Sequence, residues 1–326
     1  MMRNNIRFSW IVPVYNEGIE LKETLEMYAR NCSLDSELIL VDDGSTDDVS
    51  SKICDEIAQA YLNVTAYHKE NGGCVDARRY GIQRAKGEYI VFLDADDKID
   101  ENYEKNLNNA VANKADFYIL NNQINTKGTS RFKIEKDFIT NSNINVETVW
   151  EWILTGKAGA VWDKIYVAQF LKELEFSEKI TYGDDVYINC NYMDKVKTVY
   201  TQNTASYMHY IDSPTSVCKV KKFNQLDEIE YLYEVIQKKF EIEGKKELLK
   251  LFTGTEMSTA IRVIIQIKKS GVKRKEIVEH MKSFDLINNI KEKRYKRTLK
   301  NEMIALLIKC SAFRLAELIY TLKDKM

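Results

Sequence analysis

Tyr89-Ile90-Val91-Phe92-Leu93-Asp94-Ala95-Asp96-Asp97 is an apolar run that ends in three carboxylates within four residues. Two aromatic and two β-branched side chains in the first five positions predict a buried strand. Three carboxylates directly after it make an unfavourable strand end, because they repel one another unless a cation or a donor-rich ligand gathers there. Hard oxygen ligands of this kind suit Mg2+ or Mn2+, which usually also hold substrate phosphates.

Four similar runs precede or follow it: Phe8 to Val12, Leu38 to Val41, Val64 to Tyr67 and Phe117 to Leu120. Between them lie apolar residues at helical spacing: Leu21, Leu25 and Tyr28, then Ile53, Ile57 and Tyr61, then Ala77, Tyr80, Gly81 and Ala85. Strands alternating with helices predict an α/β fold with a mostly parallel, doubly wound sheet and ligands at the carboxyl ends of its strands. Those ends are polar. They read Pro13-Val14-Tyr15-Asn16-Glu17, Asp42-Asp43-Gly44-Ser45-Thr46-Asp47, Glu70-Asn71-Gly72-Gly73 and Asp94-Ala95-Asp96-Asp97. Each also has a purely structural reading. Asp47 or Asp48 can cap the next helix, Asn-Gly-Gly is a turn, and Asp97 can cap a helix beginning near Asp100.

The alternation weakens after Asn121. Residues 122–146 are polar and read as a hairpin or loop region, Glu147 to Leu154 and Trp162 to Leu174 carry helical spacing, and the chain is helical in pattern from Phe223 onward. Pro214, the change of periodicity and a charge switch place a boundary near residue 220. Residues 1–220 hold about 24 Lys and Arg against about 34 Asp and Glu, and residues 221–326 hold about 24 against 15. The net charge of −1 does not advertise nucleic-acid binding. The basic tail, with Lys268, Lys269, Lys273, Arg274, Lys275, Lys291, Lys293, Arg294, Lys296 and Arg297, fits either a solvated face of a packed helical region or a peripheral contact with an anionic membrane. No leader is visible, since the run from Phe8 ends at Pro13. The stretch Ile304 to Leu322 is broken by Lys309, Arg314 and Glu317 and cannot span a bilayer alone. Six dispersed cysteines argue against zinc and for free thiols. Together these predict a cytoplasmic protein, peripheral at most on the inner face of the membrane.

The motifs above, in this order and spacing with Ala77-Arg78 between the third and fourth, resemble glycosyltransferase family 2. The resemblance covers about residues 6–120 and continues more loosely to about 216. It implies a Rossmann-like GT-A catalytic domain over residues 1–220, with a nucleotide-sugar half to about 122 and an acceptor half from about 123, followed by a basic helical region over 221–326. It also implies an inverting, metal-dependent transfer of a hexosyl or N-acetylhexosaminyl group from a nucleoside-diphosphate sugar, most often UDP-linked, to a glycan or lipid-linked acceptor in surface polysaccharide synthesis.

The resemblance assigns roles residue by residue. Pro13, Tyr15, Glu17, Asp43, Asn71, Arg78, Asp94 and Asp96 would bind the nucleotide sugar. Among them Asp43 would accept the imide hydrogen of a uracil-like base, Tyr15 would lie against its ring, and Arg78 would face base or diphosphate. Arg79 stands where Asn is commoner. Asp96, with Asp94, would hold Mn2+ or Mg2+, and His209 is a candidate further ligand. Val161-Trp162-Asp163-Lys164-Ile165-Tyr166 resembles a Trp-Asn-Lys segment and nominates Trp162 and Lys164 for the acceptor side. Gly183-Asp184-Asp185 resembles Gly-Glu-Asp, which makes Asp185 the catalytic base and Asp184 its alternative, with helix capping as the structural reading of both. Two other classes remain: a sugar nucleotidyltransferase, which would want a basic Gly-rich loop where Tyr15-Asn16-Glu17 stands, and a degenerate transferase domain acting as a binding subunit.

Overall fold

The structure is a computed structural model that describes residues 6–125, 132–134, 139–176, 180, 182–210, 223–269 and 271–280. Its elements in chain order are β1 (Phe8–Val14), α1 (Leu21–Asn31), β2 (Glu37–Asp42), α2 (Ser50–Ala60), β3 (Val64–His68), α3 (Cys74–Arg84), β4 (Tyr89–Phe92), β5 (Lys98–Ile99), α4 (Tyr103–Val111), β6 (Phe117–Leu120), β7 (Gln123–Asn125), β8 (Phe132–Ile134), β9 (Ser142–Ile144), α5 (Val146–Leu154), β10 (Lys164–Val167), α6 (Ala168–Lys172), α7 (Asp184–Tyr192), β11 (Val199–Gln202), β12 (Tyr207–Tyr210), α8 (Phe223–Ile242), α9 (Lys246–Lys269) and α10 (Arg274–His280).

Eight strands form one sheet in the order β3-β2-β1-β4-β10-β6-β11-β9, and β5-β12-β7-β8 form a second. Strands β1 to β4 are mutually parallel. Their side chains are buried almost throughout in β1, β2 and β4, which is why these strands read as unbroken apolar runs. The chain steps one way from β1 to β2 and the other way to β4, so the carboxyl ends of β1 and β4 flank a topological switch point. Pro13 is tolerated in a central strand because it lies beyond the last β1–β4 pair, Ile11 with Phe92.

Residues 162–174, expected to be helical throughout, are divided between a strand, Lys164–Val167, and a short helix, Ala168–Lys172. β10 runs antiparallel between β4 and β6 and only Ala168–Lys172 is helical. Burial between two strands overrides the local spacing. Further on, β7 and β8 pair as an antiparallel hairpin within the polar stretch that followed Asn121.

The chain divides into two compact units, residues 1–149 with 160–217, and residues 150–159 with 218–326. The first holds the sheets and a core around Trp10, Leu25, Tyr28, Leu40, Val91, Leu107 and Tyr118. In the second, α8 and α9 bury Leu226, Ile229, Leu232, Ile236, Phe240, Phe252 and Ile264. Trp150 packs edge-on to Phe240 there and carries the Lys245 ammonium over its ring at 4.6 Å. No helix among the described residues is long and apolar enough to cross a membrane. Residues 211–216 of the tyrosine-rich segment, Cys218, Cys310 and the basic clusters beyond residue 280 fall outside the described residues, and Cys32, Cys54, Cys74 and Cys190 are free thiols.

Candidate active site

The loops after β1 and β2 interlock. Asn16, at φ 54°, donates its backbone N–H to Ser45 Oγ at 3.0 Å, and its Oδ1 accepts the N–H groups of Thr46 at 2.6 Å and Asp47 at 3.2 Å. Asp47 accepts the Ser50 N–H at the start of α2 at 2.9 Å and the Gly18 N–H at 3.1 Å. Val49, not Asp47, is the N-cap of α2, so Asp47 serves the first helical amide from outside that position and ties the two loops together. Tyr15 projects from this joint with 45% of its surface exposed, an open aromatic face.

Asp43 lies buried behind it. Its Oδ1 accepts Lys69 Nζ at 2.6 Å and Gly72 N–H at 3.0 Å, and its Oδ2 accepts Gly73 N–H at 2.7 Å and Asn71 Nδ2 at 3.2 Å. Four donors fill the acceptor capacity of a carboxylate. To accept a base imide, Asp43 must exchange one of them. Lys69, which no motif singled out, also pairs with Asp76 Oδ2 at 2.5 Å, and Asp76 with Arg79. Gly44 permits this closeness: its φ is +71°, and a Cβ there would stand 2.8 Å from the Asn71 nitrogen.

At the end of β4, Asp94 and Asp97 go separate ways. Asp94 is half-buried, and Arg78 Nη2 donates to its Oδ1 at 3.0 Å. Burial raises its pKa, opposed by Arg78 and reinforced by Asp96. Asp97 does not cap a helix. It is completely buried and accepts Tyr207 Oη at 2.6 Å, His209 Nδ1 at 3.0 Å and the Tyr210 N–H at 2.8 Å, and burial raises its pKa against the pull of His209. Three donors on β12 draw it inward. His209 therefore directs Nδ1 to Asp97, and its ring stacks 4.9 Å from that of Trp162. Tyr207 stacks on Trp162 at 4.8 Å as well. With 7% of its surface exposed, Trp162 is a platform for β12.

Lys164, nominated for the acceptor side, lies inside the fold. Its side chain is fully buried, with Nζ 2.6 Å from the equally buried Asp163 Oδ1 and bonded also to Ala160 O. An ammonium without solvent contact is retained only when paired in this way. The same strand fixes α7: Tyr166 Oη donates to Asn189 Oδ1 at 2.8 Å, and Tyr192 Oη accepts the Val167 N–H at 2.7 Å.

Helix α7 opens on Gly183, which adopts φ 73° as its N-cap, so Asp184 and Asp185 occupy the first helical positions and neither side chain caps. Both turn to Arg78. Its Nη1 donates to Asp185 Oδ1 at 3.1 Å and to Asp184 Oδ2. Burial first, then the Asp184 charge, push the Asp185 carboxyl up to about 7, against Arg78. A carboxylate with that affinity for protons is suited to act as a base near neutrality.

The geometry thus gathers Tyr15, Asp43, Asn71, Arg78, Asp94, Asp184 and Asp185 at the carboxyl edge of the sheet and removes Lys164 and Asp97 to the interior. The family model of Glycosyl transferase family 2 matches residues 9–168. Residues 9–168 belong to that family. The family 2 domain is 41% identical over 118 residues to glycosyltransferase GlyG of Streptococcus pneumoniae, covering 36% of this chain and 39% of GlyG. It is 33% identical over 187 residues to the minor teichoic acid biosynthesis protein GgaB of Bacillus subtilis, covering 56% of this chain and 20% of GgaB. The chain therefore spans less than half the length of these curated relatives. The fold matches S. aureus TarS 1–349 in complex with UDP-GlcNAc at a TM-score of 0.71 and 17% identity, over 98% of this chain and 92% of that one. At that identity the likeness shows the GT-A fold.

Proposed function

We propose that the protein is an inverting glycosyltransferase that moves a sugar from a nucleoside-diphosphate sugar to a hydroxyl of a surface glycan or lipid-linked acceptor. The observation that carries this reading is the meeting of the β4 carboxylate Asp94 with the α7 carboxylates Asp184 and Asp185 around one guanidinium, at the carboxyl edge of the sheet. A UDP-linked donor is favoured by the open Tyr15 ring beside Asp43 and by the fold shared with TarS, whose structure holds UDP-GlcNAc. The teichoic acid role of GgaB favours a cell-surface polymer as acceptor. Residues 1–220 would form the catalytic domain and the basic helical region would serve acceptor access.

Asp185 takes the proton of the acceptor hydroxyl as that oxygen bonds to the anomeric carbon. On the opposite face the anomeric C–O bond breaks, and the nucleoside diphosphate leaves with its electron pair. Inversion follows from this single displacement.

The donor end also fits a divalent cation. Asp94 and Asp96 offer hard oxygens from one strand end, and the Asp96 charge raises the cost of ionising Asp94. Among the described residues no three His, Cys, Asp or Glu form a complete metal cage. Two carboxylates with the remaining positions left to substrate phosphates is the usual Mg2+ arrangement. Asp96 and Asp94 would hold the ion, and His209 has only Nε2 to offer it. When bound, it supplies positive charge to the departing diphosphate.

A thermal-shift series with UDP, GDP, UDP-GlcNAc and UDP-glucose, each with and without Mn2+, tests the reading, since a ligand that binds only the folded state raises Tm. Stabilisation by a nucleoside diphosphate that depends on Mn2+ and is lost in Asp96→Asn supports it. No shift with any of them contradicts it.

A further inference from the structure

Arg78 is 4% exposed, yet it does not turn its charge to solvent or to an open phosphate site. Nη2 is committed to Asp94 and Nη1 to both Asp184 and Asp185, and its Nε–H is buried without a hydrogen-bond partner. The Phe92 ring lies 5.8 Å from the guanidinium carbon. The acids come from distant parts of the chain, the end of β4 and the first turn of α7. An arginine cannot give up its proton, and its planar fork spans two carboxylates that a point charge cannot reach together. The position expected to face the diphosphate is thus occupied by a side chain whose η nitrogens already serve this chain's own carboxylates.

We propose that Arg78 is a positioning residue for the base: its fork ties Asp185 to Asp94 across the cleft, and Asp184 sets the strength of that tie by competing for the same Nη1. The inference rests on the reading of Asp185 as base. The charged and titratable groups facing Asp185 are Asp184 on α7, Cys74 and Arg78 on α3, Asp94 at the end of β4, and Lys164 and Tyr166 on β10. Of these, Asp184 and Asp94 favour its protonated form, and Arg78 and Lys164 its charged form. A cation that acted only through its charge would leave kcat little changed in Arg78→Lys, which keeps the charge and loses the fork. A diphosphate ligand would act on donor binding.

The test uses steady-state kinetics and donor affinity of the full chain, with circular dichroism to establish folding. Arg78→Lys keeps the charge and loses the fork, so kcat should fall by roughly 10²-fold, the effect of misplacing a reacting group, while the donor Kd stays within about 3-fold. Removing the cation in Arg78→Gln should carry the acid limb of the kcat–pH profile to higher pH. Asp184→Asn, which keeps the shape of its side chain, should carry the limb to lower pH, because it removes a negative neighbour and releases Nη1 to Asp185. This second variant decides the matter if Arg78→Gln fails to fold. An acid limb unmoved in Asp184→Asn overturns the proposal, and so does a folded Arg78→Lys with normal kcat and weakened donor binding. Near wild-type turnover in Asp185→Asn is a different failure, since it removes the base reading itself.

Discussion

The two ends of the site hold their carboxylates by opposite means. At the nucleotide end, Asp43 is met by two backbone N–H groups, an amide side chain and Lys69, all from the segment between β3 and α3. At the base end, Asp94, Asp184 and Asp185 share Arg78, with Lys164 buried beneath them as a further cation. A carboxylate held by two backbone donors besides its side-chain partners is fixed in part by the path of the chain and loses little when one side chain changes. Acids that share a single cation move together when it changes. The first arrangement suits a cradle that must keep its shape, and the second a group whose proton must be transferred.

The strongest way to break this comparison is to remove the buried cation. Lys164→Met leaves Asp163 buried and short of its ammonium, and breaking such a pair costs about 3–5 kcal/mol. Urea unfolding should show a loss of that size. A loss below about 1 kcal/mol would mean that the strand relaxes and that Lys164 is not structural.

A smaller effect sharpens the other side. Asp43→Ala strips the acceptor from the Gly72 and Gly73 N–H groups, with an expected loss of about 1–3 kcal/mol for buried donors left unpaired. Hydrogen exchange should accelerate at those two amides and leave α7 unchanged. Faster exchange spread equally over α7 would deny that the two ends are independent.

The smallest effect lies at the root of the β2 loop. His68 Nδ1 sits 2.9 Å from Asp42 Oδ2, and its Nε2 3.0 Å from Asp55 Oδ1. The bond to Asp42 raises the imidazole pKa above its ordinary value of 6.5. A group whose folded pKa is raised contributes its full stability below the unfolded value and loses it as pH rises through the folded one. The wild type should therefore lose stability with rising pH above 6.5, and His68→Gln should flatten that slope. The pair is partly exposed, so the difference should stay within about 1 kcal/mol. Parallel Tm–pH curves for the two proteins would contradict the assignment.

What the sequence revealed and what it concealed follow the same division. Strands β1, β2 and β4 are legible because parallel strands covered on both faces are continuously apolar, and their polar ends mark the cleft directly. β10 is not, because Lys164 sits inside it and its charge is answered by a residue next to it that looks equally exposed on paper. Asp97 resembles a helix cap until Tyr207 and His209 arrive from about 110 residues away. The η-nitrogen partners of Arg78 are hidden for the same reason: helical spacing finds the arginine, while its partners on α7 lie 106 and 107 residues further on. Local pattern reveals what each segment buries, and the acids that a cation joins across the fold become visible only in three dimensions.

The most direct measurement is the pair of donor Kd and transfer rate for Asp185→Asn. The substitution preserves size and polarity and removes the capacity to take a proton. Donor affinity should remain within about 2-fold of wild type, while transfer falls by roughly 10²–10⁴-fold, the contribution of a general base. Because Gly183 and not Asp185 occupies the N-cap position of α7, the helix should be undisturbed, and circular dichroism and Tm should match the wild type. Transfer within a few-fold of wild type would contradict the account.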